Sequence, residues 1–292
     1  MSRWPKNWLG YEWGRCVKCK SVQKLMSKRE FIELSPTYDP GYLSAERSDL
    51  EASLDVDGKV SLLLDIFDEK PEGNLLDIGC GMGGFLLAGA RLGLAVQGVE
   101  PSASHSKAAI DVFGFNVACR YFKSEDFNTQ FDIVILSHVV EHIYDPREFL
   151  ADVMKVVKEG GRLIVITPNC DSLASRICGR YWSMYKTVDH VTMFTKAAIR
   201  ESLPQGTTLE RINTSEWRGE FAAHIASALL TAFRSTSSSV DVQKIGGATR
   251  QSNIGAASKL VLAALSFPFH VLAGALDRSA CLYAVLVKDG TK

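Results

Sequence analysis

The chain has 292 residues, of which 46% are apolar and 23% are charged. That is enough to bury the core of one large domain with appendages. Basic and acidic residues are equal in number, 33 of each, so the formal net charge is zero. A chain without net charge has no overall field that attracts a polyanion, which argues against nucleic acid as a partner.

The N-terminal segment and the cysteines indicate the compartment. Residues 1–11 contain no apolar core of the kind found in secretory signals, so we expect a cytoplasmic protein. Seven scattered cysteines argue against a disulfide framework. Cys16 and Cys19 have the CxxC spacing of half a zinc site, but no second CxxC exists and the first histidine is His105. The pair is either a zinc ligand set or, as we favour, two reduced thiols in a turn.

The first two-thirds of the chain alternates strands and helices. Residues 1–53 are rich in Trp, Tyr, Lys and Pro without a clean period, and predict an N-terminal lid. Apolar runs rich in Val, Ile and Leu predict buried strands at 75–78, 95–100, 116–120, 131–136 and 162–167. Helical spacing and caps predict helices at 54–67, 83–92, 102–113 and 146–158. This order predicts an α/β fold with a doubly wound parallel sheet.

The last third contains an unusual insertion. A helix at 195–203, a strand at 207–217 and a last strand at 281–288 continue the alternation. Residues 219–280 between the last two strands combine a helical stretch, a loop-like stretch and a long apolar piece. Lys259, Pro268 and His270 interrupt the apolar piece, which makes it a poor membrane span. We expect it to pack on the domain or on a partner; an interfacial membrane contact is the alternative.

The glycine-rich turn "LLDIGCGMGG" predicts a ligand site after the first strand of the sheet. Gly79, Gly81 and Gly84 satisfy GxGxxG, and Glu100 follows about 20 residues later, a pattern that also fits a nicotinamide dinucleotide. Asp77 discriminates between a dinucleotide and S-adenosylmethionine, because a carboxylate at the end of the strand repels a pyrophosphate. S-adenosylmethionine carries an ammonium and a sulfonium and no phosphate, so Asp77 favours it.

At this point the sequence resembles the class I S-adenosylmethionine-dependent methyltransferases. The resemblance rests on the segments "LLDIGCGMGGF", "VQGVEPS", "FDIVILSHVVEHIYDP" and "VKEGGRLIVITPN". The segment "DHVTMFTKAAIRESL" resembles the branch with ubiquinone-biosynthesis O-methyltransferases and sugar or glycan-cluster methyltransferases. The resemblance implies a Rossmann-like seven-stranded sheet with a reversed last strand. We predict a core of 54–218 plus 281–292, with 1–53 as the lid and 219–280 as a helical insertion.

The resemblance also implies residues for the cofactor S-adenosylmethionine. It places four residues around the methionine part, namely Asp77, Gly79, Gly81 and Gly83. It places Glu100 at the ribose, and Glu125 and Asp126 at the adenine, although these two also fit a solvated acidic turn. Ser137 and His138 line the cofactor from the fourth strand of the family fold.

Two histidines are the candidate catalytic bases. Methyl transfer to a hydroxyl needs a group that takes its proton. His142 and His190 follow the fourth and fifth strands of the family fold, at the edge where open α/β sheets bind ligands, and His190 ranks first. His142 and Glu141 also fit a purely structural role in the loop. His138, Glu141 and His142 together fit a divalent metal, but we predict no metal.

The acceptor is predicted only as a class. We expect O-methylation of a small or lipid-linked molecule, such as a sugar in surface-glycan biosynthesis. A quinone-type or other small-molecule acceptor, a nicotinamide enzyme and a non-catalytic scaffold are the alternatives. Tyr181, Trp182 and Tyr185 fit either substrate stacking or loop packing. The insertion 219–280 is expected to roof the substrate pocket, with a homodimer interface or peripheral contact with the inner membrane face as the alternatives.

Overall fold

A computed structural model describes residues 2–4, 11–34, 47–185, 187, 189–215, 223–228 and 267–290 of the chain. The strands are β1 (Ser2–Trp4), β2 (Trp13–Arg15), β3 (Val22–Lys24), β4 (Asn74–Ile78), β5 (Ala95–Val99), β6 (Val117–Ala118), β7 (Phe131–Ser137), β8 (Val157–Pro168), β9 (Thr192–Met193), β10 (Thr207–Ser215) and β11 (Cys281–Lys288). The helices are α1 (Lys28–Leu34), α2 (Arg47–Ser53), α3 (Val56–Phe67), α4 (Gly84–Arg91), α5 (Ala103–Phe113), α6 (Pro146–Val156), α7 (Leu173–Cys178) and α8 (Lys196–Glu201).

Seven strands form the central sheet, in the order β10-β11-β8-β7-β4-β5-β6. Strands β4 to β8 pair in parallel, whereas β11 runs antiparallel between β8 and β10. The predicted doubly wound sheet with a reversed last strand is therefore confirmed. Because β4 to β8 run in the same direction, their carboxyl ends all lie at one edge of the sheet.

Both faces of the sheet are covered, which explains why the central strands β4 and β7 are buried and apolar at most positions rather than at alternate ones. Alternate residues enter opposite layers of the core: Leu76 and Leu136 face the layer that contains helix α6. Leu75 and Ile135 face the layer that contains helices α3 and α4. The two layers hold β4 and β7 rigidly at the centre, so the loops that follow these strands start from fixed positions.

A second, smaller sheet joins the N-terminal segment to the core, in the order β1-β2-β3-β9. The sequence showed no period there and predicted no strands. Trp13 of β2 packs 5.2 Å from the ring of Tyr185, which packs 5.2 Å from that of Trp182. Both Trp182 and Tyr185 are buried. Loop packing, rather than substrate stacking, is thus the role that the structure gives these two aromatic residues.

Most of the predicted insertion, 219–280, lies outside the described residues. Its described parts include two helical stretches, 223–228 and 267–275. Ser215 pairs with Cys281, which pairs with Pro168 at the end of β8, so the chain leaves the sheet at its carboxyl edge as predicted. In the described part of the chain, no helix is both long enough and apolar enough to cross a bilayer. The roofing role and the domain boundaries stay predictions.

Candidate active site

The glycine-rich turn connects β4 to α4 at the centre of the carboxyl edge. Gly79 has φ of 75°, and a Cβ at this position would lie 2.5 Å from a methyl carbon of Val139. Gly83 caps helix α4 with φ of 92°. Side chains other than glycine rarely adopt this left-handed backbone. The glycines therefore let the turn lie directly against the loop that follows β7.

Asp77 is the buried carboxylate beside this turn. Its side chain is 2% exposed, and its Oδ1 atom has no hydrogen-bond partner. Burial, together with the charge of Glu100, raises the pKa of Asp77 to about 8. A buried acceptor oxygen without a partner is costly, so the site is suited to a ligand that brings a donor or a positive charge. The ammonium of S-adenosylmethionine fits that requirement, and a pyrophosphate does not.

Glu100 closes the turn from the end of β5. Its carboxylate accepts hydrogen bonds from the backbone N–H groups of Gly81 and Ser102, both at 2.8 Å. Glu100 is thereby held at the mouth of the turn, where the sequence predicted contact with a ribose. Its two bonds also explain the position of Gly81, whose left-handed backbone, with φ of 53°, directs its N–H toward β5.

Lys59 is a residue near this site that the sequence did not single out. It lies on α3, is partly buried, and donates from Nζ to the carbonyl of Leu54 at 2.5 Å. Its ammonium is close enough to Asp77 to lower the pKa of that carboxyl, opposing the effect of burial. The sequence shows it only as one polar position of an amphipathic helix, and nothing local distinguishes it from a surface lysine.

The loop after β7 brings polar side chains to the same edge. Ser137 ends the strand, and His138 follows in a left-handed conformation with φ of 56°. Nδ1 of His138 lies 3.2 Å from Oε1 of Glu141. Glu141 is fully buried, and its other oxygen, Oε2, accepts from the hydroxyl of Thr167 at 2.9 Å. Burial alone would raise the pKa of Glu141, but the bond from His138 and the nearby imidazoles lower it to about 2.

His142 is paired with a carboxylate that the sequence did not identify, Asp189. Nδ1 of His142 lies 3.2 Å from Oδ2 of Asp189. Because a carboxylate only accepts, Nδ1 carries the proton and Nε2 keeps its lone pair when the ring is neutral. Burial by itself lowers the pKa of His142, but Asp189 and Glu141 outweigh it and raise the pKa. The side chain is 31% exposed, so the ring is accessible from outside.

His190, which the sequence analysis ranked first as the candidate base, lies in a buried position. Its Nδ1 donates to the carbonyl of Met184 at 2.9 Å. Burial and the charge of His142 lower its pKa to about 4, which keeps the ring neutral. Its ring packs edge-on against that of His142, with 4.7 Å between centroids. Of the two candidate bases, His142 is thus the more exposed, and His190 lies buried beside it.

Among the described residues, two side chains of the loop after β7 and one of the segment after β8 form a group of possible metal ligands. The ligand atoms of Glu141, His142 and His190 all lie within 4.8 Å of one another, so these three could hold an ion. This set differs from the combination that the sequence suggested, because His138 is replaced by His190. Both carboxylate oxygens of Glu141 already have partners, His138 and Thr167, so an ion would have to displace at least one of these bonds.

Two acidic residues predicted for the adenine lie in the short helical turn Ser124–Asp126. Glu125 is 3.8 Å from Nζ of Lys123, and its side chain is 77% exposed. Asp126 is 3.2 Å from Nε of Arg120, and its side chain is 28% exposed. The structure gives Glu125 the surroundings of a solvated acidic turn. The adenine contact stays a prediction for both residues.

The CxxC segment forms the turn between β2 and β3. Backbone N–H groups of Cys19 and Lys18 donate to the sulfur of Cys16, which lowers the pKa of that thiol. Sγ of Cys19 lies 3.1 Å from the hydroxyl of Ser21, and both cysteines are free thiols. Within the residues that the structure describes, neither cysteine belongs to a group of three or more potential metal ligands.

Comparison with known proteins identifies related chains. The family model described as a methyltransferase domain matches residues 51–205. The ubiquinone biosynthesis O-methyltransferase of Bradyrhizobium sp. (strain ORS 278) is 34% identical over 139 residues, 41% of this chain and 55% of that protein. The enzyme of the same name from Maricaulis maris (strain MCS10) is 38% identical over 127 residues, 40% of this chain and 50% of that protein. The chain therefore matches about half the length of these curated relatives.

Solved structures with a similar fold include two methyltransferases. The plantazolicin methyltransferase BpumL, crystallised with a substrate analogue and SAH, aligns with a TM-score of 0.48 and 17% identity, over 89% of this chain and 90% of that one. A SAM-dependent methyltransferase from Archaeoglobus fulgidus aligns with a TM-score of 0.46 and 20% identity, over 83% of this chain and 94% of that one.

Proposed function

The chain belongs to the methyltransferase-domain family, as a class I S-adenosylmethionine-dependent methyltransferase, and we propose that it methylates a hydroxyl oxygen of a small or lipid-linked acceptor. A sugar of surface-glycan biosynthesis is the class that we favour. One observation carries the choice of a hydroxyl: His142 has its Nδ1 proton held by Asp189 and is accessible at the edge of the sheet. A neutral amine can attack before it loses a proton, whereas an alcohol hydroxyl is a weak nucleophile until a base takes its proton, so an oriented base suits a hydroxyl best.

Several residues of the chain are suited to hold the cofactor. When bound, S-adenosylmethionine supplies an electrophilic methyl group on a sulfonium. The unpaired oxygen of Asp77 suits its ammonium, and the carboxylate of Glu100 suits the ribose hydroxyls. The turn has open space at Gly81, where an added Cβ would meet no atom within 4 Å, and the adjoining loop carries Ser137 and His138. Positioning of the acceptor oxygen against the methyl group provides much of the rate enhancement.

His142 then acts as the general base. Its Nε2 lone pair takes the proton of the acceptor hydroxyl as the oxygen is methylated. The cofactor, held at Asp77 and Glu100, would supply the methyl group and would leave as neutral S-adenosylhomocysteine. Asp189 holds the imidazole in the required tautomer and stabilises the imidazolium that forms, as a carboxylate behind a catalytic histidine does in general.

A quinone-type acceptor is the second candidate. The two relatives described above are ubiquinone biosynthesis O-methyltransferases, and this name supports both a quinone-type acceptor and transfer to oxygen. The matches to these relatives cover only about 40% of this chain. Residues 216–292, which include the insertion, lie outside the segment 51–205 that the family model matches. A nicotinamide enzyme is disfavoured by family membership and by Asp77.

The experiment measures cofactor binding and methyl transfer separately. Calorimetry with S-adenosylhomocysteine should show one site per chain. Transfer of radiolabel from S-adenosylmethionine is then followed with a panel of sugar and phenolic acceptors. The variant His142→Gln should keep its affinity for S-adenosylhomocysteine and lose about 10²- to 10⁴-fold in kcat. His105→Gln, a change of the same type on α5, is the matched control.

The outcomes separate the parts of the proposal. Absence of heat with S-adenosylhomocysteine would end the assignment of the cofactor. An unchanged kcat in His142→Gln would exclude His142 as the base and leave positioning alone. Transfer to amines but not to hydroxyls would overturn O-methylation.

A further inference from the structure

One cavity of the chain is lined by more basic than acidic side chains. Its volume is about 640 Å³, and it lies between the CxxC turn, the segment after β8 and helix α8. Five basic side chains line it: Arg15, Lys20, Arg176, Lys196 and Arg200. Two carboxylates, Asp171 and Asp277, also line it, which leaves a net charge of plus three. We call this cavity the basic pocket.

This concentration of charge is unusual for a chain whose formal net charge is zero. Like charges that converge on one concavity repel one another, and the low-dielectric walls focus their field on an anion that enters. An anionic ligand in the basic pocket would therefore reduce the repulsion among these side chains. An ordinary solvated surface would intersperse the two signs of charge.

The two carboxylates neutralise only part of the lining. Nη2 of Arg176 lies 2.7 Å from Oδ1 of Asp171, and Lys196 is ion-paired with Asp277. Among the described residues, Lys20 donates to the carbonyl of Val17 and to no carboxylate. Arg200 is exposed and, within the same part of the chain, forms no hydrogen bond or ion pair. At least two positive charges of the pocket thus have no carboxylate partner among the residues that the structure describes.

The basic pocket lies at the same edge of the sheet as the proposed base. Strands β7 and β8 are parallel neighbours, and Ser137 pairs with Ile166. Asn169, which lines the pocket, follows Ile166 by three residues, about 10 Å at ~3.3 Å per residue. His138, which begins the loop that carries His142, donates its N–H to the carbonyl of Ile166. The pocket wall at Asn169 and the start of this loop are thus separated by about 10 Å along β8, a distance within the length of an extended ligand.

We propose that the basic pocket binds the diphosphate group of the methyl acceptor, an inference that rests on the function proposed above. Arginine side chains match phosphate oxygens with paired hydrogen bonds, and three of the five basic residues are arginines. A sugar diphosphate places a hydroxyl-bearing ring at the end of a doubly charged anchor. The acceptor class is thus a sugar activated by a diphosphate, carried by a nucleoside or by a lipid.

The first experiment uses inorganic pyrophosphate as the probe, titrated into the full chain at constant ionic strength. We expect saturable binding at one site. Arg200→Gln and Lys20→Asn should each weaken it about tenfold, the loss expected for one charge-assisted contact. Asparagine is chosen at position 20 because it tolerates the left-handed backbone of Lys20, whose φ is 62°. Arg29→Gln, on α1 with a side chain 89% exposed, is the matched control and should change nothing.

The second experiment identifies the carrier of the diphosphate. Nucleoside diphosphate sugars and short-chain polyprenyl diphosphate sugars compete for the pyrophosphate site in separate arms. Displacement in one arm assigns the carrier, and Arg200→Gln should raise KM for that acceptor about tenfold with little change in kcat.

Three results would overturn the inference: no binding of pyrophosphate, equal weakening by Arg29→Gln, or no displacement in either arm. S-adenosylhomocysteine is titrated into every variant as well. If it binds while pyrophosphate does not, the pocket assignment fails alone; if it does not bind at all, the proposed function fails first.

Discussion

Cofactor affinity should depend steeply on pH through Asp77. The carboxyl is buried, one of its oxygens has no partner, and its pKa is raised to about 8. Near neutral pH most ligand-free molecules therefore carry this group protonated. A ligand that presents an ammonium binds the ionised form, so binding must release a proton. Affinity should rise with pH up to the raised pKa and level off above it.

The size of the effect follows from the pKa. Below about pH 8, each unit of pH reduces the ionised fraction of Asp77 about tenfold, which corresponds to ~1.4 kcal/mol of binding free energy. Between about pH 5.5 and about pH 7.5, the dissociation constant of S-adenosylhomocysteine should thus fall about a hundredfold. Close to one proton should be released for each ligand bound.

Calorimetry in buffers of different ionisation enthalpy measures both quantities. The titration is repeated with Asp77→Asn, which keeps the shape of the side chain and removes the charge. This variant should bind weakly and without a pH slope in this range. Asp111→Asn is the control: Asp111 forms an exposed ion pair with Lys107 on α5, and its loss should leave affinity and slope unchanged.

The reasoning would be refuted by an affinity that is flat with pH and accompanied by no proton release. It would also be refuted if Asp77→Asn bound S-adenosylhomocysteine as tightly as the unmodified chain. Either result would mean that the buried carboxyl does not contact the charged part of the ligand.

Three further changes test the rest of the site. Asp189→Asn should lower kcat about a hundredfold or more. It should also move the acid limb of the pH profile of kcat to lower pH. The reason is that Asp189 helps to raise the pKa of His142, and His142 acts as a base only when neutral. Gly79→Ala should lower the free energy of unfolding by about 2 kcal/mol or more in urea denaturation, because its φ is 75° and the added carbon would clash at 2.5 Å. Thr167→Val should cost about 1–3 kcal/mol in the same assay, because it leaves one oxygen of buried Glu141 without its donor. Unchanged values in any of these assays would contradict the corresponding contact.

Local signals were sufficient for the elements of the sheet and for the glycine turn. The strand predicted at 75–78 is β4 (Asn74–Ile78), and the strand predicted at 281–288 has those bounds in the structure. The helix predicted at 102–113 is α5 (Ala103–Phe113), and its N-cap Ser102 accepts from the backbone N–H of His105. These features depend on side-chain periodicity, caps and turn residues, which act over a few neighbouring positions. The strands β1 to β3 were not predicted, because three residues are too few to show a hydrophobic period.

The partners of the site residues became visible only in the tertiary structure. His142 and Asp189 are separated by 47 positions and meet because the loops after β7 and β8 converge at one edge of the sheet. The burial of His190 and the partial exposure of His142 also became visible only there, since burial depends on what packs around a side chain and no short stretch encodes it.

The sequence predicted the fold class, the glycine turn and the acid beside it, because alternating strands and helices indicate parallel strands joined by crossovers and the turn needs glycine. The reversed last strand was implied by the family resemblance. Tertiary structure alone decided which histidine is accessible and which charges share a cavity. The basic pocket draws Lys20, Arg176 and Arg200 from three distant segments of the chain. Charge density of that kind depends on distance in space, and a chain that is neutral overall gives no sign of it.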